Sequence, residues 1–171
     1  MPATITIQTY QDTHRQAVID LVVNIQQNEF QVPVTVADQP DLTDIPNFCQ
    51  VKNGNFWVAL HQNEVVGTIA LLDSGNGVGT LRKMFVKAEF RGREHNIAQQ
   101  LLDELWSWAT QHRFEGVYLG TIERLQAARR FYERNNFELI EKTNLPAEFP
   151  IMAVDTHFYA KQVETFAEKE A

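Results

Sequence analysis

The 171-residue chain carries a single cysteine, Cys49, so no internal disulfide can form and a reducing compartment is expected. It is also short of positive charge: 15 lysines and arginines against 22 aspartates and glutamates give a net charge of −7. That balance argues against nucleic acid or an anionic membrane as the main partner, although a local basic patch can still act. No run approaches the roughly 20 apolar residues that a membrane-spanning helix needs. The opening Met-Pro-Ala-Thr-Ile-Thr-Ile lacks a basic stretch followed by an apolar one, so no signal peptide is expected and the cytoplasm is the expected location. The five histidines (His14, His61, His95, His112, His157) show no paired spacing suited to a metal, and no metal is expected. Repeats, low-complexity tracts and a domain boundary are missing too. Residues 1–171 therefore read as one domain with a polar tail from about Gln162.

What is present is the composition of a soluble globular protein, 44% hydrophobic and 22% charged, with length enough to bury a core without staples. The organising stretch runs from Gly79 to Ala109. Leu81 to Val86 has the apolar and aromatic character of a strand. From Ile97 the apolar residues Ile97, Leu101, Leu105 and Ala109 recur at helical spacing. Between them lies a basic turn with Arg91, Gly92, Arg93 and Asn96. The first turn of a helix offers unpaired N–H groups and the positive end of the peptide dipoles. A phosphate or pyrophosphate is a natural ligand there, and a small residue lets it approach the backbone. A plain strand–loop–helix connection with solvated arginines fits these residues equally well.

In chain order, Thr4 to Thr9 alternates as a short strand, and Asp12 is placed to cap a helix whose face is Ala17, Val18, Leu21, Val22 and Ile25. Residues 31–50 read as a loop with one helical turn after Asp41. Phe56 to Leu60 and Val65 to Leu72 form a hairpin. The three glycines between Asp73 and Gly79 precede a strand rather than a helix, so they make a hairpin connection and not a phosphate loop. Ser74 lacks the frame of a hydrolase elbow. Gly116 to Gly120 is a strand, and Thr121 is expected to cap a helix whose face is Leu125, Ala127, Ala128, Phe131 and Tyr132. That helix ends at Asn135-Asn136, where asparagine tolerates left-handed backbone. Strands follow at Phe137 to Ile140 and around Val154 to Ala160. The order β-α-loop-β-β-β-α-β-α-β-β predicts an α/β (α+β) fold, a mixed sheet of about six to seven strands with helices on both faces.

Two segments together resemble the GNAT superfamily of acetyl-CoA-dependent N-acetyltransferases. Arg93-Glu94-His95-Asn96-Ile97-Ala98 resembles that family's pyrophosphate motif, Gln/Arg-x-x-Gly-x-Gly/Ala. Ala128-Arg-Arg-Phe131-Tyr132-Glu-Arg-Asn-Asn136-Phe137 resembles its Ala-x-x-Phe/Leu-Tyr-x-x-x-Gly-Phe segment. The order of elements fits over nearly the whole chain. Asn96 and Asn136 both stand where the family usually has glycine, and asparagine is the residue next most willing to adopt positive φ. The side chain of Asn96 puts the affinity for coenzyme A in question. Arg91-Gly92 lies two residues earlier than the commoner register, which leaves Arg91 and Arg93 both free to meet phosphates.

The resemblance implies a splayed central sheet with the thioester of acetyl-CoA in its opening and no metal. It implies backbone contacts to the pantetheine arm and thioester from Met84, Phe85 and Val86, and diphosphate contacts from Arg91, Gly92, Arg93, Glu94, His95, Asn96, Ile97 and Ala98. Ala128 and Phe131 would line the cofactor, and Tyr132 would protonate the leaving thiolate, whose thiol titrates near ~8.5. The expected acceptor is a primary amine of a small molecule or peptide, which must lose its proton at a cost of roughly 4 kcal/mol at pH 7 for a lysine-like amine. Many members have a carboxylate on the central strand for this; here Arg82 and Lys83 stand there, and Arg82 is placed to hold an acidic acceptor. Glu29, Asp41, Asp44, Glu123, Asp155 and His157 remain candidates for the base. Trp106 and Trp108 are two apart and cannot share a helix face, so one of them is expected at the surface, where a homodimer contact would use it. Rival readings are a longer-chain acyltransferase and a coenzyme A-binding sensor without turnover.

Overall fold

The computed structural model describes residues 4–164. Seven strands form one sheet in the order β1-β2-β3-β4-β5-β7-β6. They are β1 (Ile5–Thr9), β2 (Asn55–His61), β3 (Glu64–Asp73), β4 (Val78–Val86), β5 (Gly116–Thr121), β6 (Glu138–Ile140) and β7 (His157–Gln162). Flanking helices are α1 (Arg15–Val23), the short α2 (Pro40–Thr43) and α3 (Ile45–Phe48), α4 (Ile97–Gln111) and α5 (Gln126–Arg134). The chain divides into two compact units. One contains the residues up to Leu72 together with Arg82–Ser107, and the other Asp73–Leu81 with the residues from Trp108 onward.

In the first unit, β1, β2 and β3 run antiparallel in succession. The alternation of strand side chains gives the sheet two apolar faces. Phe56, Val58, Leu60, Ala70 and Leu72 form one core with Val18, Leu21 and Val22 of α1 and with Ile25 just beyond it. The other face receives α4: a Cβ added to Gly67 would meet Ile97 Cγ2 and Leu101 Cδ1 at 3.1 Å and Ala59 Cβ at 3.3 Å. Glycine at 67 is therefore what lets this helix sit so close to the strand.

Two local starts differ from the sequence reading. Asp12 does not cap α1: residues Asp12–His14 form a 3-10 turn entered from Gln11, whose amide bonds His14 Nδ1 at 3.1 Å, and the α-helix begins at Arg15. It ends in a π-helical stretch, Asn24–Glu29, closed by the Phe30 amide on the Ile25 carbonyl. Residues 31–50 hold two helical turns rather than one, each with a proline in its first turn.

In the second unit, β4 and β5 are parallel, with register pairs from Val78–Gly116 to Thr80–Tyr118. β5 and β6 each pair antiparallel with β7. Thr121 does not cap α5. It closes β5, where its carbonyl takes the Thr156 amide at 2.9 Å, so tertiary pairing overrides the local capping signal and the helix starts at Gln126. Asn136 ends the connection after α5 at φ 69°, as its residue type allows. The predicted tail starts too early: Gln162 belongs to β7 and Val163 is buried, its amide on the Glu115 carbonyl at 2.9 Å. The rest of that tail lies outside the described residues.

Candidate active site

In the first unit, β4 leads through a 3-10 turn (Ala88–Phe90) and a short loop into α4. The loop is shaped by two left-handed residues, Gly92 at φ 107° and Asn96 at φ 53°. A Cβ at Gly92 would meet nothing within 4 Å, so the backbone there can be approached closely. The Asn96 amide bonds the Gly92 carbonyl at 3.1 Å, and Gln100 Nε2 bonds the His95 carbonyl at 2.8 Å. The Phe90 ring lies 4.9 Å from that of His61 and 5.2 Å from that of His95. Together these contacts fix the loop ahead of a helix whose first turn presents its amides without intrahelical acceptors. Arg93 and Glu94 are exposed, and Ile97 is buried as the first anchor of α4.

Arg91 departs from its expected freedom. Its guanidinium is held by both carboxylate oxygens of Glu29, one at 2.8 Å, while its Nε donates to the Val86 carbonyl at 2.8 Å. The same group lies 5.7 Å from the centre of the Phe30 ring. A planar guanidinium suits such a bidentate arrangement. Arg91 thereby ties the loop to the end of the π-helical stretch, and that hydrogen bond holds the Glu29 carboxyl below the usual carboxylate range.

On β4, Met84, Phe85 and Val86 are half-buried, and Phe85 packs against the α1 core. Ahead of them Lys83 adopts φ 53° in mid-strand, a conformation that costs an L-residue on the order of 1–2 kcal/mol. The Thr68 hydroxyl donates to its carbonyl at 2.6 Å. Arg82 and Lys83 both reach Asp41, at 3.2 and 3.4 Å. Burial pulls the Lys83 ammonium below its ordinary range, against the opposing pull of the Asp41 charge.

In the second unit, α5 carries Ala128 and Phe131, both half-buried, and Tyr132, which is 6% exposed. The rings of Phe131, Phe137 and Tyr159 lie 5.8, 5.7 and 6.1 Å from that of Tyr132. Burial, and then the negative charge of Asp155, push the Tyr132 phenol above its ordinary range. Asp155 packs against β5 so closely that a Cβ on Gly120 would come within 2.2 Å of its Oδ2. The neighbouring Tyr159 hydroxyl is committed differently, donating to Glu133 Oε1 at 2.9 Å and accepting from Arg129 Nε at 3.1 Å.

The cofactor residues read from the sequence thus gather in two places: Met84 to Ala98 in one continuous stretch of the first unit, and Ala128, Phe131 and Tyr132 on one helix of the second. Of the candidate bases, Glu29 and Asp41 are engaged in ion pairs, and Asp44 accepts from Asn47 Nδ2 at 3.0 Å. His157 Nδ1 lies 2.8 Å from the Thr156 hydroxyl, which also accepts from the Glu123 amide at 3.2 Å. Trp106 and Trp108 are both half-buried, and Trp108 stacks on His112 with ring centres 3.8 Å apart. Among the described residues no group of three or more His, Cys, Asp or Glu could hold a metal, and no helix is long and apolar enough to cross a membrane.

The profile of a family described as "Acetyltransferase (GNAT) domain" matches residues 52–139. An acetyltransferase of the GNAT family from Staphylococcus aureus Mu50 superposes with a TM-score of 0.90 at 34% identity, over 94% of this chain and 100% of that one. An acetyltransferase from Streptococcus agalactiae 2603 superposes with a TM-score of 0.88 at 28% identity, over 92% and 98%. Among curated proteins, N-acetylaspartate synthetase of Danio rerio is 32% identical over 105 residues, which are 60% of this chain and 36% of that protein. The human protein of the same name is 35% identical over 100 residues, 57% of this chain and 32% of that protein. The chain spans about a third of the length of these curated relatives.

Proposed function

Because this chain belongs to the GNAT acetyltransferase family and is an acyltransferase, we propose that it moves an acetyl group from acetyl-CoA to a primary amine of a small molecule or peptide. The amine attacks the thioester directly within a ternary complex. The observation that carries this reading is the loop from Gly92 to Asn96, with two left-handed residues and an open approach at Gly92, leading into the 15-residue α4. Such a loop fits a diphosphate, which would lie against the backbone amides of residues 92–98 with Arg93 as its counter-charge. Arg91 acts one step back by fastening the loop to Glu29. Backbone N–H groups of Met84, Phe85 and Val86 orient the acyl arm, and Ala128 and Phe131 line its path.

Tyr132 holds the proton needed by the departing sulfur. Its raised pKa keeps the hydroxyl protonated across the working range, so it stabilises the developing thiolate as a hydrogen-bond donor before it gives up the proton. The curated relatives are named for a product that is an N-acetylated amino acid, which supports a small amino acid as one acceptor to try. Tyr132→Phe should lower kcat by about 100-fold or more while leaving the coenzyme A dissociation constant within about twofold. Arg93→Ala should weaken coenzyme A binding by roughly 5- to 20-fold, the value of a charge-assisted contact. Full turnover in the first variant would remove the hydroxyl from the reaction, and an unchanged dissociation constant in the second would remove Arg93 from the diphosphate site. A series of acyl-CoA chain lengths, read by thiol release, separates acetyl transfer from transfer of a longer acyl group and from binding without turnover.

A further inference from the structure

Asp155 closes the turn ahead of β7, its amide on the Met152 carbonyl at 3.1 Å. Its side chain lies on β5. A Cβ built on Gly120 would come within 2.7 Å of Asp155 Cγ, so the carboxylate fills the space of the missing side chain. Successive residues of a strand point to opposite faces. Leu119 pairs with Tyr159 and Gly120 with Phe158, so these two pairs belong to different faces of the sheet. The first face is covered by α5, whose Tyr132 ring lies 6.1 Å from that of Tyr159 and whose Arg129 and Glu133 hold the Tyr159 hydroxyl. Gly120 opens on the second face, where the Phe149 ring lies 6.2 Å from that of Phe158. Asp155 and Tyr132 are therefore back to back across one strand, and the Asp155 charge is still felt at the phenol. Gly120 and Asp155 are both half-buried, which leaves the carboxylate open to solvent from its own face.

Direct attack on a thioester needs two proton transfers at separate points. The nitrogen becomes cationic as it bonds to the carbonyl carbon and must lose a proton, while the sulfur gains one as the C–S bond breaks. An acid and a base in contact would exchange that proton with each other, and a strand between them prevents it. The other titratable groups near this end of β5 are engaged with Thr156: its hydroxyl takes the Glu123 amide and lies 2.8 Å from His157 Nδ1. We propose that Asp155 is the catalytic base, its carboxylate receiving the proton of the attacking nitrogen on one face of β5 while Tyr132, seated on the other, supplies the proton to sulfur. The N–C bond forms, the C–S bond breaks, and the products are the amide and the free thiol. Asp155 then returns its proton to solvent and Tyr132 regains one. The assignment rests on the reading of the chain as an amine acetyltransferase with Tyr132 as proton donor.

A panel of the protein amino acids, their amides and short diamines, read by thiol release on the full chain, supplies the fastest acceptor. With that acceptor, Asp155→Asn should lower kcat by about 100-fold and leave the coenzyme A dissociation constant within about twofold. Asp155→Gly should lose as much, and added formate should restore a share of the rate that grows with the concentration of the anion. A carboxylate that only holds its turn together is not replaced by a diffusing anion. A parent-like kcat in Asp155→Asn, or an Asp155→Gly rate that formate moves no more than chloride does, therefore overturns the base. Should Asp155→Gly fail to fold, as read by circular dichroism, the isosteric Asp155→Asn decides: its melting temperature should stay with the parent's while kcat falls, and a joint fall of both overturns the assignment. Turnover by the parent and by Asp155→Asn alike removes the base and leaves the transferase reading standing. Turnover of no amine by the unsubstituted chain removes that reading, and the base with it.

Discussion

The Tyr132 ring packs among those of Phe131, Phe137 and Tyr159, and both causes acting on its phenol, burial first and then the Asp155 charge, favour the protonated form. A raised pKa means that the proton is retained to higher pH. The expected profile of kcat/KM therefore rises as the acceptor amine loses its proton and shows no descending limb from tyrosine up to about pH 10. Rates measured on the unsubstituted enzyme from about pH 6 to 10 check this, and a falling limb near pH 9 would count against Tyr132 as the proton holder. At this scale the sequence is informative where one residue type decides one torsion. Asn96 and Asn136, standing where glycine is usual in the family, do take positive φ, at 53° and 69°. Lys83 takes the same region with no such signal, because its conformation is imposed by the strand and by Thr68 rather than by its own preference.

Among the elements, the seat of α4 on the sheet depends on the missing side chain at Gly67. Gly67→Ala would place a methyl 3.1 Å from both Ile97 and Leu101, tighter than ordinary contact, in the turn that opens the helix. Overpacking of this kind costs about 1–3 kcal/mol, or a fall in melting temperature on the order of 2–10 °C. Coenzyme A affinity should fall with it if the loop ahead of Ile97 holds the diphosphate as proposed; thermal melts with and without the cofactor read both effects. The periodicity from Ile97 to Ala109 made this helix legible, as the alternation in β2 and β3 did for the hairpin. Element starts were less so. Local capping signals at Asp12 and Thr121 lost to a neighbouring turn and to pairing with β7, neither of which is local information. The ion pairs of the site were hidden for the same reason: Arg91 lies 62 positions from Glu29, and Arg82 lies 41 from Asp41.

For the molecule as a whole, the Glu29–Arg91 pair gives part of the stability a pH dependence. Arg91 holds the Glu29 carboxyl below its ordinary range, with burial opposing. A carboxylate whose pKa is depressed on folding contributes fully above the unfolded value, ~4.3, and the contribution is lost as pH falls through the folded value. Glu29→Gln should therefore unfold at lower urea concentration than the parent at pH 7, with the gap closing below about pH 4. A gap of equal size at pH 3 would place the difference in packing rather than charge.

Cys49, the single thiol of the chain, is 1% exposed, its Sγ donates to the Asp41 carbonyl at 3.4 Å, and burial followed by the Asp41 charge pushes it up to about 12 despite Lys83 and Arg82. Reagents that exchange with thiols need a thiolate they can touch, and the folded protein presents none. Colour developed by a disulfide dye during turnover is thus free coenzyme A, without a protein background to subtract. Any slower labelling of the polypeptide in the same cuvette counts molecules that have opened, so one mixture yields both the reaction rate and the lifetime of the native state.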